Sequence, residues 1–205
     1  MQILDQKTTI SELIESSRLA NKSIPDGVQI NIDKPNILSA YMRHFLKRNP
    51  SFHPAYIEVA DWLRDNKRKG LWLHGMCSQG KTLLSRFVIP AILEIECHKI
   101  CHFYTAAQAN KEPDEVMKWH ILSIDDVGCE DVSVLYGNRR NVFDEIMDDV
   151  EKKGKLIIVT SNLTNEQVSE KYGSRTMERL LACCRDIRFE MKDSTGKPMS
   201  FRNKQ

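Results

Sequence analysis

The sequence predicts an α/β fold, a three-layer P-loop architecture around a five-stranded parallel sheet, and three observations carry that expectation. The first is the run Gly75-Met76-Cys77-Ser78-Gln79-Gly80-Lys81-Thr82, which has the spacing G-x-x-x-x-G-K-[ST]. The second is its setting, a short buried-strand pattern from Gly70 to His74 entering the loop and a helix pattern leaving it at Thr82. The third is the alternation of strand-like and helix-like runs downstream, as expected of parallel strands joined by crossover helices.

Composition bounds the rest. A chain of 205 residues with 41% hydrophobic content buries one good core and would strain to make two. Thirty Lys and Arg against 28 Asp and Glu leave it near neutral, so any nucleic-acid contact has to come from local patches. Six cysteines show no paired C-x-x-C spacing, and Cys77 sits inside the loop, so free thiols of a cytoplasmic protein are expected. His98, His102 and His120 lie near Cys97 and Cys101 without the compact spacing of a four-ligand metal site. No charged-then-apolar leader is present and no apolar run approaches the ~20 residues that span a bilayer, so a soluble protein with no membrane partner is expected.

Residues 1–34 read as an extension and residues 35–205 as the P-loop domain. In the extension, Thr9 to Glu12 has capping-box spacing, and Ile10, Leu13 and Ile14 line one side of a short amphipathic helix. Pro25 and Gly27 break the chain after it. Helix patterns follow over 36–48, with Leu38, Tyr41, Met42 and Phe45, and over 55–64, with Ile57, Val59, Trp62 and Leu63. Arg43, His44, Lys47 and Arg48, then Lys67, Arg68 and Lys69, concentrate positive charge ahead of the loop, in runs that are ordinarily solvated faces. Beyond the loop helix, strands are expected at 100–104, 120–124, 156–161 and 187–191. A helix is expected at 140–152, with Val142, Phe143, Ile146 and Val150 inward, and a short one from about Pro113.

A P-loop wraps backbone N–H groups around phosphate oxygens at a helix N-terminus, which makes Gly75, Met76, Cys77, Ser78, Gln79, Gly80, Lys81, Thr82 and Leu83 candidate nucleotide-binding residues. Lys81 is expected to reach the β- and γ-phosphates and the Thr82 hydroxyl to coordinate Mg²⁺. The strand ending in Asp125 and Asp126 supplies carboxylates, Asp125 on the metal side and Asp126 as the base or orienter of an attacking water. The strand ending in Val159-Thr160-Ser161 puts the Asn162 amide where it would hold that water or sense the γ-phosphate.

Taken in order and at these intervals, GMCSQGKT, ILSIDDVG, IIVTSN and YGSRTMERL resemble the AAA+ ATPases of the DnaC/IstB type, which include helicase loaders and transposition-associated ATPases; the resemblance covers residues 36–205. It implies a fold of AAA+ type and assigns Asn162 to sensor 1, Arg179 to the arginine finger, Arg175 to a second trans-acting role and Arg202 to sensor 2. It also implies ATP and Mg²⁺ as cofactors, a homo-oligomer with the ATP site at the subunit interface, a protein partner such as a replicative helicase or transposase, and single-stranded DNA as a further ligand. Two departures stand out. Only residues 105–119 fill the interval where the loaders carry a longer, DNA-associated insertion. About fourteen residues follow the fifth strand, so a full helical lid domain is not expected and Arg202 would act from a short tail.

The expected function is an ATPase acting as an ATP-dependent assembly or remodelling factor in DNA replication or transposition. Asp126 in place of the commoner glutamate shortens the reach to water by one methylene, in keeping with slow, assembly-dependent hydrolysis. The alternatives are a nucleotide-gated adaptor that hardly hydrolyses ATP and works through residues 1–34, and a small-molecule kinase, for which an arginine-bearing lid is lacking.

Overall fold

A computed structural model describes residues 26–130, 133–135 and 138–190. The central strands β1 (Gly70–Gly75) and β6 (Leu156–Ser161) are buried almost throughout, which is why both read as unbroken apolar runs. They pair in parallel with Leu71 opposite Ile158. β3 (Ile121–Val127) lies on the other side of β6, β2 (His102–Thr105) forms one edge and β7 (Cys184–Phe189) the other, giving the parallel order β2-β3-β6-β1-β7.

Alternation along each strand divides the core into two. Leu71, Leu73, Ile158 and Ile187 face α1 (Ile37–Leu46), α2 (Ala55–Arg64) and the loop helix, meeting Met42, Trp62, Leu84 and Ile92. Trp72, Ile157, Val159, Leu122 and Ile124 face the opposite layer. That layer contains α5 (Ala106–Lys111), α6 (Pro113–Val116), α7 (Val142–Lys153), α8 (Asn165–Tyr172) and α9 (Ser174–Cys183). Capping boxes start α5 and α8, Thr105 with Gln108 and Thr164 with Gln167. Ile30 and Ile32 are buried in the first core, and Ile32 N–H donates to Leu63 O at 2.9 Å. The expected border at residue 34 therefore falls inside packed chain; the helix expected at residues 9–14 lies outside the described residues.

The loop helix carries a local irregularity with a plain cause. α3 (Lys81–Leu83) runs into α4 (Ile89–Cys97) through a π turn over Leu84–Val88. Pro90 has no N–H to donate and its ring crowds the carbonyl of residue 86, so the preceding turn widens and Ile89 N–H reaches back to Leu84 O. The Ser85 carbonyl is left without a helical donor, and Ser123 Oγ of β3 donates to it at 2.8 Å. The widened turn thereby fastens the loop helix to the strand that carries the acidic pair.

Several boundaries differ from the sequence expectation. β7 occupies Cys184–Phe189 rather than 187–191, because α9 runs directly into it and the polar pair Arg185 and Asp186 hides its start. β2 begins at His102, and Ile100 is solvent-exposed. β3 extends through Asp125 and Asp126 to Val127, with a register shift between Ile124 and Val127. A short antiparallel hairpin, β4 (Ser133–Leu135) and β5 (Asn138–Arg140), has no counterpart in the expectation. Among the described residues no helix is long and apolar enough to cross a membrane, and all six cysteines are free thiols.

Candidate nucleotide site

The loop between β1 and α3 follows a path that only its glycines permit. Gly75 has φ +120° and Gly80 φ +93°. A Cβ on Gly75 would lie 2.4 Å from Phe189 O, and one on Gly80 would lie 2.7 Å from the Tyr56 hydroxyl. These close approaches fix the loop at both ends. Met76 N–H donates to Phe189 O at 3.0 Å, and Tyr56 Oη donates to Gln79 O at 3.4 Å.

Lys81 is buried at the centre of the loop. Its Nζ donates to Gly75 O at 2.9 Å, to Met76 O at 2.7 Å and to Asn162 Oδ1 at 3.0 Å. Burial pulls this ammonium below the usual lysine range, while the nearby Cys77, Asp126 and Asp125 oppose the shift. The asparagine at the tip of β6 therefore touches the loop lysine itself.

The acidic pair divides between wall and floor. Asp125 is buried, its Oδ1 accepting from Ser85 Oγ at 3.1 Å and from Thr160 Oγ1. It stands behind the cavity, whereas Thr82, with which it was expected to share a metal, lines the cavity and is exposed. Asp126 turns the other way, because the register shift puts it at φ +60° with its N–H donating to Thr160 Oγ1 at 3.0 Å, and it lines the cavity. Partial burial and the Asp125 charge push its carboxyl above the usual aspartate range, against the pull of Lys81.

The cavity measures about 630 Å³, ample for a nucleoside triphosphate. Loop residues 77–83, Asp126 and Asn162 line one side; Leu46, Arg48, Pro50, Ser51 and Tyr56 line the other. The residues fit a nucleotide, since loop N–H groups, a buried lysine and a glycine where a Cβ would meet Tyr56 make a phosphate cradle. They also fit Mg²⁺ held chiefly through phosphates, because the nearby donors are hydroxyl and carboxylate oxygens. Among the described residues no cluster of three or more His, Cys, Asp or Glu would hold a metal alone.

The arginines separate sharply. Arg179 is only 8% exposed, and it donates from Nε to Glu151 at 3.0 Å, from Nη1 to Asp144 at 3.3 Å and from Nη2 to Asp148, all on α7. All three guanidinium nitrogens of the expected finger are thus engaged within the chain. Arg175, one turn earlier on α9, is exposed. Arg202 lies outside the described residues. Sequence reasoning missed Thr160, Ser85, Tyr56 and Arg48. Pro90 was the available signal for Ser85, while the other three act through pairings between distant segments.

The family model described as Nephrocystin 3, N-terminal, matches residues 38–162, from α1 through the loop and both carboxylates to Asn162. The chain belongs to the Nephrocystin 3 N-terminal family. The match takes in more than half the chain and stops short of α8 and α9, the segment that carries the arginines. Among solved structures, this member of the family is similar to DnaI, with a TM-score of 0.55 at 20% identity over 79% of this chain and 94% of that one. It is also similar to domain III of the Thermotoga maritima replication initiation protein DnaA, at 0.54 and 18% over 80% and 70%. The DnaC helicase loader follows at 0.50 and 18% over 80% and 94%. These likenesses show that the chain shares the α/β fold of DnaI, DnaA domain III and the DnaC helicase loader. No curated protein matches this member of the Nephrocystin 3 N-terminal family in sequence.

Proposed function

We propose that the protein is an ATP-dependent assembly or remodelling factor, binding ATP and Mg²⁺ in the loop cavity and hydrolysing ATP slowly when subunits associate. The observation that carries this reading is the junction of Lys81 with Asn162, with Asp126 lining the same cavity. Lys81 and the loop N–H groups would hold the phosphates, Thr82 would take the metal, and Asp125 would orient from behind through its contacts with Ser85 and Thr160. Mg²⁺, when bound, would neutralise charge on the phosphates. Asp126, its carboxyl held above the usual aspartate range, would accept the proton of an attacking water, with Asn162 positioning that water beside Lys81.

The missing positive charge would come from Arg175 of a second copy. Arg175 is exposed on α9, whereas Arg179 is held by α7. Phosphoryl transfer depends mainly on charge stabilisation, so a borrowed arginine ties turnover to assembly. The likeness in fold to DnaI and the DnaC helicase loader favours a partner in DNA replication, with a replicative helicase or a transposase as the protein and single-stranded DNA as a further ligand to test.

The decisive experiment measures size and phosphate release together, with ATP, with ADP and without nucleotide, each with and without single-stranded DNA. ATP-dependent assembly with turnover that rises with protein concentration is the expected result. Titrating Arg175→Ala protein into wild type should depress turnover more steeply than dilution does. Concentration-independent turnover by a monomer would refute the shared site.

A further inference from the structure

His53 sits at the start of α2 and is 1% exposed, although nothing in the phosphate chemistry calls for a buried histidine there. Its two nitrogens do different work. Nδ1 accepts the Ala55 backbone N–H at 3.0 Å, which fixes the tautomer with the proton on Nε2. On the other side of the ring, Nε2 and the side-chain oxygen of Gln79, the loop residue preceding Gly80, are both buried, and the two side chains interact. Gln79 is likewise 1% exposed.

The ring is also wedged in place. It stacks on Phe189 with centroids 4.9 Å apart at 27°, and Tyr56 lies 5.6 Å away. Phe189 holds the beginning of the loop through Met76, and Tyr56 approaches its crest at Gln79 and Gly80. The histidine thus joins the two supports of the loop, one from β7 and one from α2.

We propose that His53 is a positioning residue for nucleotide binding, a neutral donor that latches Gln79 and holds the loop crest in the shape that receives phosphate. The inference rests on the nucleotide-binding reading above. It predicts that α2 and the loop move as one unit, and that losing the latch weakens ATP and ADP alike, because both present phosphates to the same N–H groups. Turnover at saturating ATP stays close to that of wild type, since the latch touches neither Asp126 nor Asn162.

The two nitrogens permit a clean test. His53→Asn places an acceptor near the Nδ1 position and keeps the helix-start bond, but it does not reach Gln79. His53→Gln places an amide N–H near the Nε2 position and keeps the latch at the expense of the helix-start bond. Fluorescent mant-ATP and mant-ADP titrations should show His53→Asn binding both about three- to tenfold more weakly, the worth of one lost hydrogen bond, with His53→Gln close to wild type. Hydrogen exchange of the loop amides 77–80, measured without nucleotide, should be faster in His53→Asn and unchanged in His53→Gln. Wild-type affinity and exchange in His53→Asn would overturn the proposal, as would equal impairment of both variants, which would mark mere packing. If wild-type protein binds neither nucleotide, the functional reading fails separately and the exchange data still decide the latch.

Discussion

Replacing Arg179 by alanine distinguishes a structural arginine from a catalytic one. The substitution removes a guanidinium that is 8% exposed and shared by Asp144, Asp148 and Glu151, carboxylates spaced i, i+4 and i+7 along one face of α7, leaving Asp144 with Thr176 and Asp148 with Lys152. Breaking a fully buried ion pair costs about 3–5 kcal/mol. Here the three carboxylates are 37%, 28% and 48% exposed, so water screens part of their repulsion and about 2 kcal/mol is the better figure. For a chain of this size that lowers Tm by about 4–8 °C, readable by thermal and urea denaturation. Adding Asp148→Ala to the variant should recover part of the loss, since it relieves the repulsion among the acidic residues on this face of α7, less what the Lys152 pair contributed. In mixtures with wild type, Arg179→Ala subunits should leave turnover proportional to the wild-type fraction. An unchanged Tm together with disproportionate loss of turnover in mixtures would refute the structural assignment and restore Arg179 as the finger.

Lys81→Ala should abolish mant-nucleotide binding, because it removes the ammonium held between the loop carbonyls and Asn162. Asn162→Ala leaves two of the three Lys81 acceptors, so nucleotide affinity should change little while turnover falls about tenfold or more, a split that steady-state kinetics reads directly. Thr160→Val keeps the shape but removes the oxygen that serves Asp126 N–H and Asp125 Oδ1, costing about 1–3 kcal/mol in urea unfolding. Burial, opposed by the Gln79 hydrogen bond and reinforced by the Lys81 charge, holds His53 below its ordinary value of 6.5, so the unfolded chain takes up the proton first. The contribution of His53 to stability is full above pH 6.5 and declines as pH falls below it. Urea midpoints between pH 7 and 5 should show this slope in wild type and its loss in His53→Asn.

What the sequence made legible was whatever depends on local order. The phosphate loop, β6 at 156–161 and α2 at 55–64 stand where their patterns put them, because glycine spacing and apolar runs report directly on backbone path and burial. β7 was displaced because Arg185 and Asp186 interrupt its apolar pattern, although Asp186 is engaged by His74 at 2.7 Å and by Asn165 at 3.0 Å. The setting of Arg179 was hidden for a related reason. A motif gives the position of an arginine along α9 but not the face of α7 that meets it, and three acidic residues at helical spacing there decide the matter. The π turn at Leu84–Val88 was foreshadowed by Pro90, yet its consequence, a carbonyl turned toward Ser123, depends on a strand some thirty-five residues away.

The end of β6 ties the parts of the candidate site to one another. Thr160 Oγ1 accepts from Asp126 N–H and donates to Asp125, so one hydroxyl sets the directions of both carboxylates. Ser161 Oγ donates to Val127 O and accepts from Leu163 N–H, which closes β3 against the turn that follows β6. Asn162 then reaches Lys81. Three consecutive residues at the end of the strand between β1 and β3 thus join the acidic wall, the turn beyond it and the phosphate loop. A change in where Lys81 is held, such as phosphate would impose by competing for its ammonium, has a short mechanical path through Asn162 to Thr160 and on to Asp126. That path enters α8 through its cap Thr164, and α8 leads through Gly173 into α9 and the exposed Arg175. The same strand end that would sense nucleotide in one subunit therefore sits at the root of the helix pair that would present an arginine to the next.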